Sequence, residues 1–257
     1  MQSVVALAIT VVAFFIVVLN WSRIRKHDII HPSMLIALTG GVTSAISTSR
    51  MRGETPGLMT YVYTVGVSLL ITAAGLHLAE KSGLPGLWPL EATDQAPVWI
   101  TAAQGRLRKP TMLTIGAALG LALGVTLWLL ARRGGPGPMY LLRGIGDPGT
   151  LKTKFYTALL IIQSGFIEEP MFRLFAIAGL VESLGSLSMS RAHRLTAGLI
   201  GSSLLFGSVP PHNFLLSLPV GILLGLTYLQ LGLVPAIVAH CVANAVQLPL
   251  LIRMAWQ

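Results

Sequence analysis

The chain alternates long apolar stretches with short polar ones, and the apolar stretches have the length of membrane-crossing helices rather than of core helices. Residues 4–19 form the first. Residues 31–47 are uncharged but rich in Gly, Ser and Thr, with Gly40 and Gly41 at their middle, and make a weaker span. Residues 58–78 and 112–130 are clear spans, each followed by charge: Glu80 and Lys81, then Arg132 and Arg133. Between them, residues 83–104 carry several Pro and Gly together with Trp88 and Trp99. They read as a loop or an interfacial segment, since Trp favours the headgroup level. Residues 140–154 read as a polar surface stretch.

From Phe155 the pattern changes. Residues 155–184 read as one long helix with Glu168, Glu169 and Arg173 at its apolar centre. Pro170 lies inside it, and the backbone bond lost there predicts a kink beside the glutamates. Residues 195–252 then contain no Asp, Glu, Lys or Arg. So long a run must fold back on itself. Breaks at Pro210–Pro211 and between Leu231 and Pro235 divide it into spans over 195–209, 214–229 and 234–252. No internal repeat is visible. The pattern predicts an all-α, polytopic transmembrane bundle of seven or eight helices, according to whether the second candidate crosses completely. Counting basic residues in alternating loops mildly favours seven crossings.

Composition agrees. Hydrophobic residues make up 53% of the chain and charged residues 11%, against about 25% charged in a soluble domain. The net charge of +9 comes from clusters at span ends, such as Arg23/Arg25/Lys26 and Arg106/Arg108/Lys109. Such clusters meet anionic lipid, so membrane lipids rather than nucleic acid are the expected partners. The apolar N-terminus carries its positive charges after the apolar run, which speaks for a retained first span rather than a cleaved signal peptide. A single integral membrane domain over residues 1–257 is expected, with N-terminal spans in 1–150 and the chemistry in 151–257. The lone cysteine, Cys241, falls in a span, where packing is the simplest role.

Ionised groups in the middle of a bilayer-length segment are costly and normally face a protein interior or a watery cavity. Two adjacent glutamates are therefore informative. On a helix Glu169 and Arg173 are four apart and share a face, so they can pair; Glu168 points roughly 100° away. One carboxylate can be held ionised while the other stays available as a general base toward water. A structural Glu–Arg pair would explain Arg173 but leaves the second glutamate without a role. Among the histidines, His27, His31 and His193 fall in polar loops, and His77 near a span end should snorkel to the interface. His212 and His240 belong to the charge-free block. His240 and Asn244 lie along one helical stripe, as donors to a developing oxyanion or as interhelical glue.

Three segments together resemble the ordered motifs of the CPBP family, the family of CAAX prenyl endoproteases and bacteriocin-processing intramembrane proteases. They are Glu168-Glu169-Pro-Met-Phe-Arg173, Phe206-Gly-Ser-Val-Pro-Pro-His212-Asn213 and His240-Cys-Val-Ala-Asn244. The resemblance covers about residues 155–252 and implies eight helices. It implies an intramembrane endopeptidase, catalytic through Glu168, Glu169, Arg173, His212, His240 and Asn244. Glu168 would activate water with help from His212, Glu169 would pair with Arg173, and His240 with Asn244 would stabilise the oxyanion. The middle motif departs from the pattern. Family members usually read FxxxH, which places a histidine where this chain has Pro210, and His212 matches the second histidine of the FxxxHxH subset. Either His212 takes over the water-positioning role or the site is impaired; the other polar members are all present.

The expected substrate is a membrane-tethered protein or peptide cut near a C-terminal tail or leader, in a prokaryotic cell membrane. No cofactor is expected, with zinc as the alternative, because HExxH and dense Cys/His spacing are missing. A non-catalytic immunity factor, chaperone or scaffold is the second reading, and a proton-conducting transporter the third.

Overall fold

A computed structural model describes residues 2–26, 29–51, 54–88, 107–133, 147–208 and 214–256. The helices run in the order α1 (Gln2–Leu19), α2 (Trp21–Lys26), α3 (Ile30–Met51), α4 (Leu58–Lys81) and α5 (Lys109–Arg133). Next comes α6 (Leu151–Gln163), which continues through two π-helical stretches, Ser164–Glu168 and Pro170–Ile177, into α7 (Ala178–Ser183). The last three are α8 (Arg191–Ser208), α9 (Phe214–Leu231) and α10 (Leu233–Trp256). With α6–α7 taken as one rod and the short α2 set aside, the described residues form eight long rods and no strand. This is an all-α membrane bundle. Four helices, Leu58–Lys81, Lys109–Arg133, Phe214–Leu231 and Leu233–Met254, are long and apolar enough to cross a membrane.

The weak polar span is fully helical. Its hydroxyls bond back one turn within α3: Ser33 donates to the Ile29 carbonyl, Thr43 to Thr39 and Ser47 to Thr43, each at 2.7–2.8 Å. Each thereby satisfies itself without water. Gly40 and Gly41 let α3 close on its neighbours: a Cβ at Gly40 would lie 2.8 Å from the Phe166 carbonyl oxygen, and one at Gly41 would meet the Val65 backbone. Since Gly40 meets Phe166 while Ser47 reaches Gln163, α3 and α6 run antiparallel.

A second close contact joins α5 to α10. Gly116, Gly120 and Gly124 form a stripe along α5, and a Cβ on any of them would collide with the Pro235, Ala239 or Ala243 carbonyl in turn. The matching ascending order makes the two helices parallel. Small-residue stripes of this kind let backbones approach within a membrane, where dispersion replaces the hydrophobic drive. Elsewhere α5 is largely exposed, with Leu119, Leu121, Leu129 and Leu130 on its open faces.

One expectation changes. His77 does not snorkel; at 6% exposure it is buried in the C-terminal half of α4, whose residues from Thr72 to Ala79 are all covered. The end of α4 is not a lipid interface, because α7 and the connection after α4 close over it: Lys81 pairs with Glu182 at 2.6 Å and Ser82 donates to the same carboxylate. The residue-83–104 loop reading can be followed only to Trp88. There the chain is irregular but anchored. Leu233 and Val234 at the start of α10 donate to the Gly86 and Leu87 carbonyls, and the buried Tyr228 hydroxyl donates to Pro85 at 2.6 Å. Helix N-termini need such outside acceptors for their first N–H groups. The break between α9 and α10 is a single residue, Gly232, at φ +90°; L side chains avoid that region. The Pro210–Pro211 break and His212 lie outside the described residues.

Candidate functional site

The acidic centre sits on a widened turn rather than a simple kink. Pro170 has no N–H to give the Phe166 carbonyl in α-helical i→i−4 bonding. In π-helical bonding the donor to that carbonyl would be Met171, one residue further on, which does have an N–H. The widening also satisfies packing: Gly165 brings the Ile237–Cys241 segment of α10 against the first π stretch, where any Cβ would run into the Cys241 thiol. That thiol donates to the Ile161 carbonyl at 3.4 Å. Sequence reading anticipates the disruption at Pro170 but not its form.

Four charged or chargeable side chains meet here. Glu169 and Arg173 are completely buried, and Arg173 Nε donates to Glu169 Oε2 at 3.3 Å, the four-apart pairing that the helix spacing predicts. Glu169 Oε1 lies 2.8 Å from His240 Nδ1. A carboxylate paired with arginine is an acceptor only, so Nδ1 carries the hydrogen. The other ring nitrogen, Nε2, faces Glu168 Oε2 at 3.8 Å. That distance is longer than a direct hydrogen bond, and polar groups so separated are commonly joined through water. Glu168 is the one member open to the outside, its side chain 26% exposed.

Charge counting gives this arrangement its chemistry. Isolated buried charge is expensive. With Glu169 and Arg173 cancelling, the quartet is neutral when Glu168 and His240 share one further proton: a carboxylate facing an imidazolium, or a carboxylic acid facing a neutral imidazole. In the first state Glu168 is a base and His240 Nε2 a charged donor, side by side.

Supports surround the quartet. Arg173 Nη1 donates to Ser202 Oγ at 3.3 Å, and Ser202 in turn donates to the Phe172 carbonyl. The guanidinium lies 4.8 Å over the Phe206 ring, a cation–π contact. Phe206 also meets Phe172 edge-on at 5.3 Å and the His240 ring at 6.0 Å. Phe172, Phe206, Val220, Leu224 and Ala239 form the apolar bed beneath.

Asn244, one turn after His240, donates from Nδ2 to Ser164 Oγ at 2.6 Å, and Ser164 donates to the Ile161 carbonyl. Gln163 beside it is in hydrogen-bond contact with the Ser47 hydroxyl of α3. The structure thus brings Glu168, Glu169, Arg173 and His240 together and places Asn244 on the adjoining turn, with its amide engaged. His212 falls outside the described residues. Ser164, Ser202 and Gln163 have no sequence signature, since hydroxyl and amide residues are common in membrane helices.

Among the described residues no group of three or more His, Cys, Asp or Glu side chains is arranged to hold a metal ion. Both oxygens of Glu169 are already engaged by Arg173 and His240.

No curated protein and no solved structure matches the chain. A family model does: the one described as type II CAAX prenyl endopeptidase Rce1-like matches residues 150–246. The match begins at Thr150, the N-cap of α6, and ends just beyond Asn244, so it takes in the whole quartet and leaves α1–α5 outside. Over residues 150–246, then, the chain is similar to the Rce1-like family, a family of proteases.

Proposed function

We propose that the protein is a multi-pass intramembrane endopeptidase that hydrolyses a peptide bond near the tail or leader of a membrane-associated protein, with Glu168 as general base. The observation that carries this reading is the asymmetry of the two glutamates. Glu169 is sealed between Arg173 and His240, whereas Glu168 is partly exposed and faces His240 across 3.8 Å.

Glu168 takes a proton from water as the water oxygen attacks the scissile carbonyl, general base chemistry worth about 10²–10⁴-fold in rate. His240, protonated at both nitrogens in that state, offers Nε2 to the oxyanion, and Asn244 extends the donor array along α10. Glu169 and Arg173 fix the ring through Nδ1 and supply the balancing charge. The proton on Glu168 then passes to the leaving amine as the tetrahedral intermediate collapses. His212 fits a water-positioning role by its place in the middle motif.

Glu168→Gln tests the proposal. Its expected outcome is loss of processing by at least about 100-fold with unchanged melting in detergent. Pro210, standing where the motif usually has histidine, favours a second reading, a non-catalytic membrane scaffold or immunity factor. Full biological activity in Glu168→Gln would establish that reading and refute the first.

A further inference from the structure

At the end of the bundle formed by the start of α6 and the close of α10 lies a cleft of about 370 Å³. Lys154 lines it from α6, with Thr157, Ala158 and Ile161, and Arg253 from α10, with Leu250. Both cations are exposed, and the described lining contains no carboxylate. The nearest acid in sequence, Asp147, turns Oδ1 into its own turn, where it accepts the Gly149 N–H at 2.8 Å.

We infer that this cleft is a binding site for an anionic phospholipid, its phosphate between Lys154 and Arg253 and the start of one acyl chain along Ala158, Ile161 and Leu250. Three features carry the inference. The volume lies in the range of small-ligand sites. The charge is of one sign and comes from two helices, the arrangement by which basic pockets between transmembrane helices hold lipid headgroups. The polarity is graded: cations lie at the helix ends and the lining turns apolar toward the bundle, as a headgroup with its chain requires and a free anion does not.

The cleft also touches the helix pair that holds the quartet. Ile161 lines it, and the Ile161 carbonyl accepts from both Ser164 and Cys241, where α6 meets α10. A lipid wedged between the two helix ends therefore bears on the contact that sets the spacing of Glu168 and His240. Lipid binding in the cleft does not require peptidase activity.

The test is lipid binding by delipidated full-length protein in detergent, followed by native mass spectrometry. Phosphatidylglycerol should bind and phosphatidylcholine should not, while inorganic phosphate in excess should fail to displace the bound lipid. The double variant Lys154→Ala, Arg253→Ala should weaken phosphatidylglycerol binding about thirtyfold, from roughly one kcal/mol per cation at a membrane surface. Ala158→Trp, which fills the apolar part and leaves the charge intact, should weaken it as well. Lys154→Arg with Arg253→Lys should retain it. Equal binding by the wild type and the double alanine variant, equal affinity for phosphatidylcholine, or displacement by phosphate would each overturn the inference.

Discussion

At the scale of single residues, the Glu169–Arg173–His240 connection is a buried ionic arrangement whose members depend on each other. A completed buried pair adds little net stability, but removing one partner strands the other charge. Arg173→Met should therefore lower stability by about 3–5 kcal/mol, read as a drop in thermal unfolding midpoint in detergent. It should do so even in an inactive Glu168→Gln background, because the cost is structural. Ser164 is a positioning residue of a different kind: its hydroxyl holds the Asn244 amide. On the peptidase reading, Ser164→Ala should reduce kcat about tenfold through misplacement of the amide, with KM unchanged and Ser164→Thr restoring the rate. A purely structural role would leave kcat intact and lower the melting temperature. The Glu169–Arg173 contact was legible in the sequence because four-residue spacing fixes a shared face. Ser164 and Ser202 were not, because their partners lie on helices far away in the chain and a lone serine in an apolar helix carries no directional signal. His77 was misread for the same reason: nearness to a span end says nothing about what covers that end.

At the scale of elements, the sequence marks breaks more faithfully than it marks shapes. Gly232 and the prolines around the last two helices place the turn where the structure has it, since few residues tolerate φ +90°. Pro170 marks the right place too, yet the outcome is a π-helical widening, chosen by what packs alongside: Gly40 on α3 and the Ile237–Cys241 segment on α10. Those partners cannot be read from the helix itself. The parallel contact of α5 with α10 belongs to this scale as well. Gly120→Leu should lower stability by about 1–3 kcal/mol or more, the usual cost of overpacking, because its new side chain meets backbone rather than a yielding side chain. Leu119→Ala, on the exposed face next door, should leave the melting midpoint unchanged. Thermal unfolding of the two variants in one detergent makes the comparison. Since Ala239, the residue opposite Gly120, immediately precedes His240, the Gly120 variant should also lose activity out of proportion to its stability.

At the scale of the whole molecule, the order of rods was legible: apolar runs of bilayer length, separated by charge and by Gly/Pro breaks, leave few ways to count them. What the chain order does not disclose is which rods touch. The first half meets the second through glycine faces on α3 and α5, and glycine is the residue a hydropathy pattern weighs least. The glycine stripe of α5 has a consequence for how such a protein can be inherited or transplanted. The segment that matches the family model, residues 150–246, is not a unit that can be lifted out, because α5 seats its glycines against backbone carbonyls of α10, with Val242 and Val246 alongside. A fragment of residues 150–246 expressed alone should fail to give a cooperative unfolding transition in detergent, and adding residues 1–146 as a separate chain should restore one. A foreign N-terminal half should succeed only if it brings its own run of small residues, so the two halves of the gene are tied to change together along the stripe where the glycines of α5 meet Pro235, Ala239 and Ala243.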